Sequence, residues 1–219
     1  MIVPEKIDVE FLKQFKKLIL EFTEHNTKLN RAAIICGGGR TCRVYQDAAK
    51  EISGTKASAT DLDMIGIKST KLNAELVRSI FGKDAYEQVI NNPEDKIKTD
   101  KRIIIGAGYL PGHSTDTDAV LLAKNIGADT IINLTNIDYV FDKDPRLHKD
   151  AKPMKALTWK DYLAIIGEHW VPGRNTPFDP VAAKEAWMLK KKVIILNGSD
   201  LGNLKKCIED KKFNGTIIS

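Results

Sequence analysis

A chain of 219 residues is long enough for one large domain or two small ones, and its 42% hydrophobic and 29% charged content excludes a disordered or collagen-like chain. At this size roughly 70% of the unfolded surface is buried on folding, so no disulfide or metal staple is required. No apolar run approaches the ~20 residues of a membrane span, Met1-Ile-Val-Pro-Glu lacks a signal-peptide core, and a net charge of +5 spread over interleaved acids and bases is no nucleic-acid footprint.

Phe11, Leu12, Phe15, Leu18, Ile19 and Phe22 recur at helical spacing behind Asp8, a candidate N-cap. Arg31-Ala-Ala-Ile-Ile-Cys36 reads as a buried strand running into Gly37-Gly38-Gly39, with a helix from Arg40 to Ile52. A second helix is expected from Thr60, carrying Ile65, Leu72, Leu76, Ile80 and Phe81. The strand Arg102–Ala107 leads into the loop Gly108–Thr115 and a helix over Asp116–Ile126. Then come the strand Thr130–Thr135, a helix after Asp179-Pro180, the strand Lys192–Leu196, a short helix and Gly215-Thr-Ile-Ile218. Apolar strands alternating with helices predict an α/β fold, a three-layer α/β/α sandwich around a mostly parallel sheet. One domain over residues 1–219 is expected, with a soft division near residue 127 between two lobes sharing the sheet.

Ligands of a parallel sheet sit beyond the carboxyl ends of its strands, and three loops fall there. In Gly37-Gly38-Gly39-Arg40-Thr41-Cys42-Arg43 the glycines let backbone N–H groups approach an anion, the helix start adds a favourable dipole, and Arg43 offers a forked phosphate contact. A plain strand-to-helix turn explains the same glycines, and neither the dinucleotide nor the P-loop fingerprint is present. In Pro111-Gly-His-Ser-Thr-Asp-Thr-Asp118, small hydroxyls before a helix suit phosphate oxygens, and N-capping by Ser114, Thr115 or Asp116 is the alternative. Thr135-Asn-Ile-Asp-Tyr-Val-Phe-Asp-Lys-Asp-Pro145 mixes polar and aromatic groups that suit a base and a ribose, or an ordinary hairpin. Asp63, before Met64-Ile-Gly66, suits ribose hydroxyls or a helix start.

His25, His113, His148 and His169 have no ligand spacing, and Cys36 and Cys42 lack partners, so no zinc site is expected. The three cysteines, an odd number, suit reduced thiols in a cytosol. No G-x-S-x-G elbow is present. Met64 and Trp187 are assigned to the core, and Lys190-Lys191-Lys192 to a solvated helix end.

Five segments in this order resemble the amino acid kinase family, specifically archaeal-type uridylate (UMP) kinases: Ile35–Arg43, Asp63–Ile67, Pro111–Asp116, Leu134–Pro145 and Phe178–Lys184. The likeness runs from about Val3 to Gly215-Thr216. It implies phosphoryl transfer from ATP to UMP with Mg²⁺, with residues 1–127 forming the UMP lobe and 128–219 the ATP lobe. Gly38, Asp63, Tyr109, Leu110, Pro111, Gly112, His113, Ser114 and Thr115 would then hold UMP. Gly39, Arg43, Thr135, Phe141 and Asp144 would hold ATP, and Asp116 would organise the transfer centre. Phe141 stands where the family often has tyrosine, and Asp118 where it has a small or apolar residue; Asp118 receives no role.

The family also begins with a strand ending in Gly-Gly-Ser, whereas Met1-Ile-Val-Pro-Glu aligns just after it. A chain shortened from a longer functional one is expected, with apolar neighbours and backbone groups of that strand exposed; a coding sequence without an upstream Gly-Gly-Ser segment would refute this. The resemblance further implies a homohexamer, with the helix Asp8–Phe22 either a candidate interface or packed on its own sheet, and feedback by UTP; a cytoplasmic location is expected from the composition. The alternatives are a kinase for another small phosphate such as isopentenyl phosphate, to which Tyr109-Leu110 lean, and a nucleotide-binding protein without turnover.

Overall fold

Asp8 accepts the Phe11 N–H at 3.0 Å and starts α1 (Val9–Glu24), whose apolar positions bury Leu12, Phe15, Leu18 and Ile19. That stripe is covered within the chain. The computed structural model describes residues 2–24, 30–167, 169 and 176–219, for Thr55 the backbone alone; Met1 and His25 lie outside the described residues. Among the described residues, no helix is long and apolar enough to cross a membrane. The fold is α/β with mostly parallel strand pairing, and it divides into two compact units, Met1–Asn125 and Ile126–Ser219.

In the first unit β1 (Ala32–Ile35) pairs in parallel with β2 (Ile103–Gly106), in register Ala32 to Ile103 and Ile35 to Gly106. β2 is buried along its whole length whereas β1 is half-exposed. The difference lies on the far edge of β2, where Tyr86 N–H donates to the Ile103 carbonyl and Ile90 N–H to Ile105, both at 2.8 Å. This second neighbour, spanning 85–90, was not anticipated. α2 (Gly39–Ser53) and α3 (Ala59–Phe81) lie between the strands in sequence.

Ser58 caps α3 by accepting the Asp61 N–H at 3.1 Å, while Asp61 answers toward the Ser58 backbone. α3 therefore begins one residue before Thr60, and Asp63 belongs to its body. Its buried face also differs from the expected one: Ile67, Ala74, Val77 and Phe81 are inside, but Leu72 is 64% exposed. Met64 and Trp187 are likewise exposed, at 39% and 48%, and not in the core. A run of apolar residues at helical spacing leaves room for several faces, and only the neighbours select one. After β2 the chain turns into α4 (Thr115–Ile126), where Ser114 accepts the Thr117 N–H at 3.1 Å and is the capping residue.

In the second unit β3 (Thr130–Thr135), β7 (Lys192–Asn197), β8 (Thr216–Ile218) and β6 (Ala156–Leu157) form one sheet in the order β3-β7-β8-β6. The β3–β7 and β6–β8 pairs are parallel, and β7–β8 is antiparallel. β4 (Val140–Phe141) and β5 (Pro153–Met154) make a small antiparallel ribbon. Asp179 caps α6 (Pro180–Met188) by accepting from Val181 and Ala182 at 2.7 and 3.0 Å, with Pro180 at the first helical position. Of the three lysines after α6, Lys190 and Lys191 stand at the helix end as expected: Lys190 is exposed and turns left-handed, and Lys191 N–H returns to the Ala186 carbonyl, while Lys192 already opens β7. α7 (Leu201–Ile208) completes the unit.

α5 (Trp159–Ile166) carries Tyr162, which is fully buried. Its hydroxyl donates to the Phe178 carbonyl at 2.8 Å and accepts the Phe178 N–H at 2.7 Å. Tyr162→Phe removes the partner of two buried backbone groups, each costly to leave unpaired. The unfolding free energy should fall by about 2 kcal/mol, read from the denaturant midpoint; an unchanged midpoint would show that the segment around Phe178 finds other partners.

Candidate functional site

The triple glycine follows the end of β1, and its conformation is set by α3. Asn73, 4% exposed, donates its side-chain amide to the Gly37 carbonyl at 2.8 Å and to the Gly38 carbonyl at 3.1 Å. In a trans peptide the N–H points opposite to the C=O, so the Gly38 and Gly39 amides are turned away from α3. Gly39 adopts φ +60°, and a β-carbon there would lie 2.8 Å from the Val3 carbonyl oxygen. That oxygen accepts the Arg40 N–H at 2.9 Å, so one donor of the α2 start is already used by the chain. Arg43, one turn further, is exposed and has no ion pair among the described residues.

An open cleft of about 160 Å³ lies beside this loop. Gly38, Asp63, Leu110, His113 and Thr115 line it, bringing together five of the residues expected from sequence for one substrate. Cys42, Gln46, Gly66, Ile67, Thr70 and Gly108 also line it and were not anticipated. Thr70 accepts the Gly108 N–H at 2.8 Å and donates to the Ile67 carbonyl at 2.7 Å. A β-carbon on residue 108 would stand 2.9 Å from that hydroxyl, so the close approach requires glycine. Ser69, Thr70 and Asn73 were legible as three polar residues at helical spacing on one face, buried at 6%, 6% and 4% exposure.

The loop after β2 is tied at several points. Gly112 N–H donates to Asp63 Oδ2 at 2.9 Å, and His113 N–H to the Leu110 carbonyl at 3.1 Å. Tyr109 N–H donates to Asp118 Oδ2 at 3.1 Å, and the Tyr109 ring meets the His113 ring edge-on at 5.9 Å. Pro111 and Gly112 are exposed at the tip. Asp118 is fully buried; burial pushes its carboxyl up, opposed by the Tyr109 N–H and by His113. Asp116 and Thr115 stand in the first turn of α4, where a carboxylate is favoured by the helix dipole.

In the second unit Thr135 ends β3, with its hydroxyl on Asn136 at 3.3 Å. Phe141 is half-buried in the β4–β5 ribbon, opposite Pro153. Asp144 is gripped by Arg146, whose Nη2 lies at 2.8 Å, and this pairing holds its carboxyl down at about 2. Among the described residues no cluster of three or more histidine, cysteine or acidic side chains is arranged to hold a metal ion. A cation bound mainly by phosphate oxygens and water needs no such cage, because Mg²⁺ keeps several waters and takes one or two carboxylates.

Comparison with known proteins gives one consistent neighbourhood. The model of the amino acid kinase family matches residues 5–197. The uridylate kinase of Methanococcus aeolicus is 35% identical over 218 residues, covering 98% of this chain and 93% of that protein. The crystal structure of uridylate kinase from Archaeoglobus fulgidus superposes with a TM-score of 0.82 at 31% identity, over 97% of this chain and 94% of that one. UMP kinase from Ureaplasma parvum shares the fold, with a TM-score of 0.73 at 18% identity over 97% and 90% of the two chains.

Proposed function

This chain belongs to the amino acid kinase family, and on that premise we propose that it transfers the γ-phosphate of ATP to UMP, giving ADP and UDP. The observation that carries the reading is the cleft itself: Gly38, Asp63, Leu110, His113 and Thr115, distant in sequence, converge on it. Glycine amides and small hydroxyls suit a phosphate, and a carboxylate on α3 suits ribose hydroxyls. Phosphoryl transfer leaves little covalent work for a protein, since alignment of attacking and leaving oxygens and stabilisation of the equatorial oxygens do most of it.

In this reading Gly38, Asp63 and the loop Tyr109–Thr115 hold UMP, in a lobe of about residues 1–127. Gly39 and Arg43 meet the phosphates of ATP, while Thr135, Phe141 and Asp144 hold ATP from a lobe of about 128–219. Asp116 orders the transfer centre. Mg²⁺ entering with ATP would supply charge neutralisation at the transferred phosphoryl group. The protein acts in the cytoplasm, in pyrimidine nucleotide biosynthesis, as a homohexamer.

The test is ADP release by the purified chain with ATP and Mg²⁺, offered UMP, CMP or isopentenyl phosphate separately. Turnover with UMP alone, abolished by EDTA, is expected. Tight UMP binding without ADP release would replace the kinase with a nucleotide-binding protein, and turnover with isopentenyl phosphate would reassign the acceptor.

A further inference from the structure

Asp118 is a carboxylate on α4 with no exposed surface, and among the described residues its Oδ1 has no hydrogen-bond partner. Buried polar atoms are almost always paired, and an orphaned carboxylate oxygen is among the costlier exceptions. The group facing that oxygen is His113, whose Nδ1 lies 3.5 Å away. That separation is a few tenths of an ångström beyond a formed hydrogen bond. Oδ2 meanwhile accepts the Tyr109 N–H at 3.1 Å. One side chain thus faces both ends of the loop segment 109–113, and the His113 ring, with its side chain 34% exposed, lines the cleft.

From this arrangement we infer that Asp118 is a positioning residue: it holds His113 through Nδ1 over the acceptor cleft, leaving Nε2 as the ring nitrogen available to the substrate. The other ties of the loop, Gly112 to Asp63 and His113 N–H to Leu110, are already short. The contact between Asp118 and His113 is the slack one, and hydrogen bonds of this kind tighten when substrate closes a site. The Tyr109 ring, edge-on to His113, limits the direction in which the imidazole moves. The inference rests on the reading of this cleft as the UMP site, but the tautomer of His113 can be read without turnover.

Two measurements test it on the full chain. Nitrogen NMR of labelled histidine should find His113 protonated at Nδ1 in the wild type, and at Nε2 in Asp118→Val. In kinetics, Asp118→Val should raise KM for UMP about tenfold with kcat within about twofold. The same substitution made on His113→Gln should add nothing, because the carboxylate acts through the ring. If Asp118→Val does not fold, the cycle is run with Asp118→Asn, which keeps an oxygen for Tyr109. A wild-type His113 protonated at Nε2, or effects of the two substitutions that multiply, would overturn the inference. Absence of UMP turnover in the wild type would instead strike the proposed function, with the tautomer measurement still deciding the role of Asp118.

Discussion

Asp116→Asn should lower kcat for UMP-dependent ADP release about a hundredfold or more, with KM for UMP little changed. The residue stands in the first turn of α4, two positions after the capping serine and beside the loop that borders the cleft. Asparagine keeps the shape and removes the charge. Fold stability is expected to hold, since the cap of α4 is made by Ser114 and does not depend on Asp116. Loss of the favourable interaction between a carboxylate and the helix start costs about 0.5 kcal/mol. A large fall in kcat with an unmoved unfolding midpoint therefore assigns Asp116 to the transition state. An unchanged kcat would reduce it to a dipole partner and remove it from the centre.

Gly39→Ala should cost about 2 kcal/mol of stability and most of the transfer activity, while Gly37→Ala should do neither. The two glycines are two residues apart in one loop and differ in their surroundings. At Gly39 the backbone is left-handed, φ +60°, and the new methyl would meet the Val3 carbonyl oxygen at 2.8 Å and Val3 Cβ at 3.3 Å. Val3 is itself 7% exposed and bonded to Arg40, so relief moves the N-terminal segment, the loop, or both. A displacement of an ångström at a phosphate-binding amide is worth up to about a hundredfold in rate. At Gly37 no atom of the described residues lies within 4 Å of the added carbon. Denaturant midpoints and ADP release for the pair give the comparison; equal tolerance at both positions would show that the loop is loose in solution and that Val3 does not restrain it.

Much of this was legible in residue order. Apolar spacing with the cap Asp8, and the pair Asp179-Pro180, located the starts of α1 and α6 to within a residue or two, because caps and periodicity are local. The ordered glycine, hydroxyl and Asp-Pro motifs carried the family resemblance, and the comparisons agree with it. Local patterns did not reveal which helix face is covered: Met64 and Trp187, assigned to the core, are exposed, as is Leu72. Nor did they reveal that the segment 85–90 completes the burial of β2, a pairing with no period of its own.

Residue order alone located most of the longer elements and the chemical types in the three loops, because backbone preferences and motif spacing act over a few residues, but it did not yield β4, β5, β6 or α5. Only the tertiary structure decided that Asn73 turns the glycine carbonyls, that Thr70 anchors Gly108, and that Asp118 is buried against His113. Those contacts join positions as far as 38 residues apart. Their partners follow from the hydrogen-bond demand of buried groups, which is settled only when the whole unit closes around them.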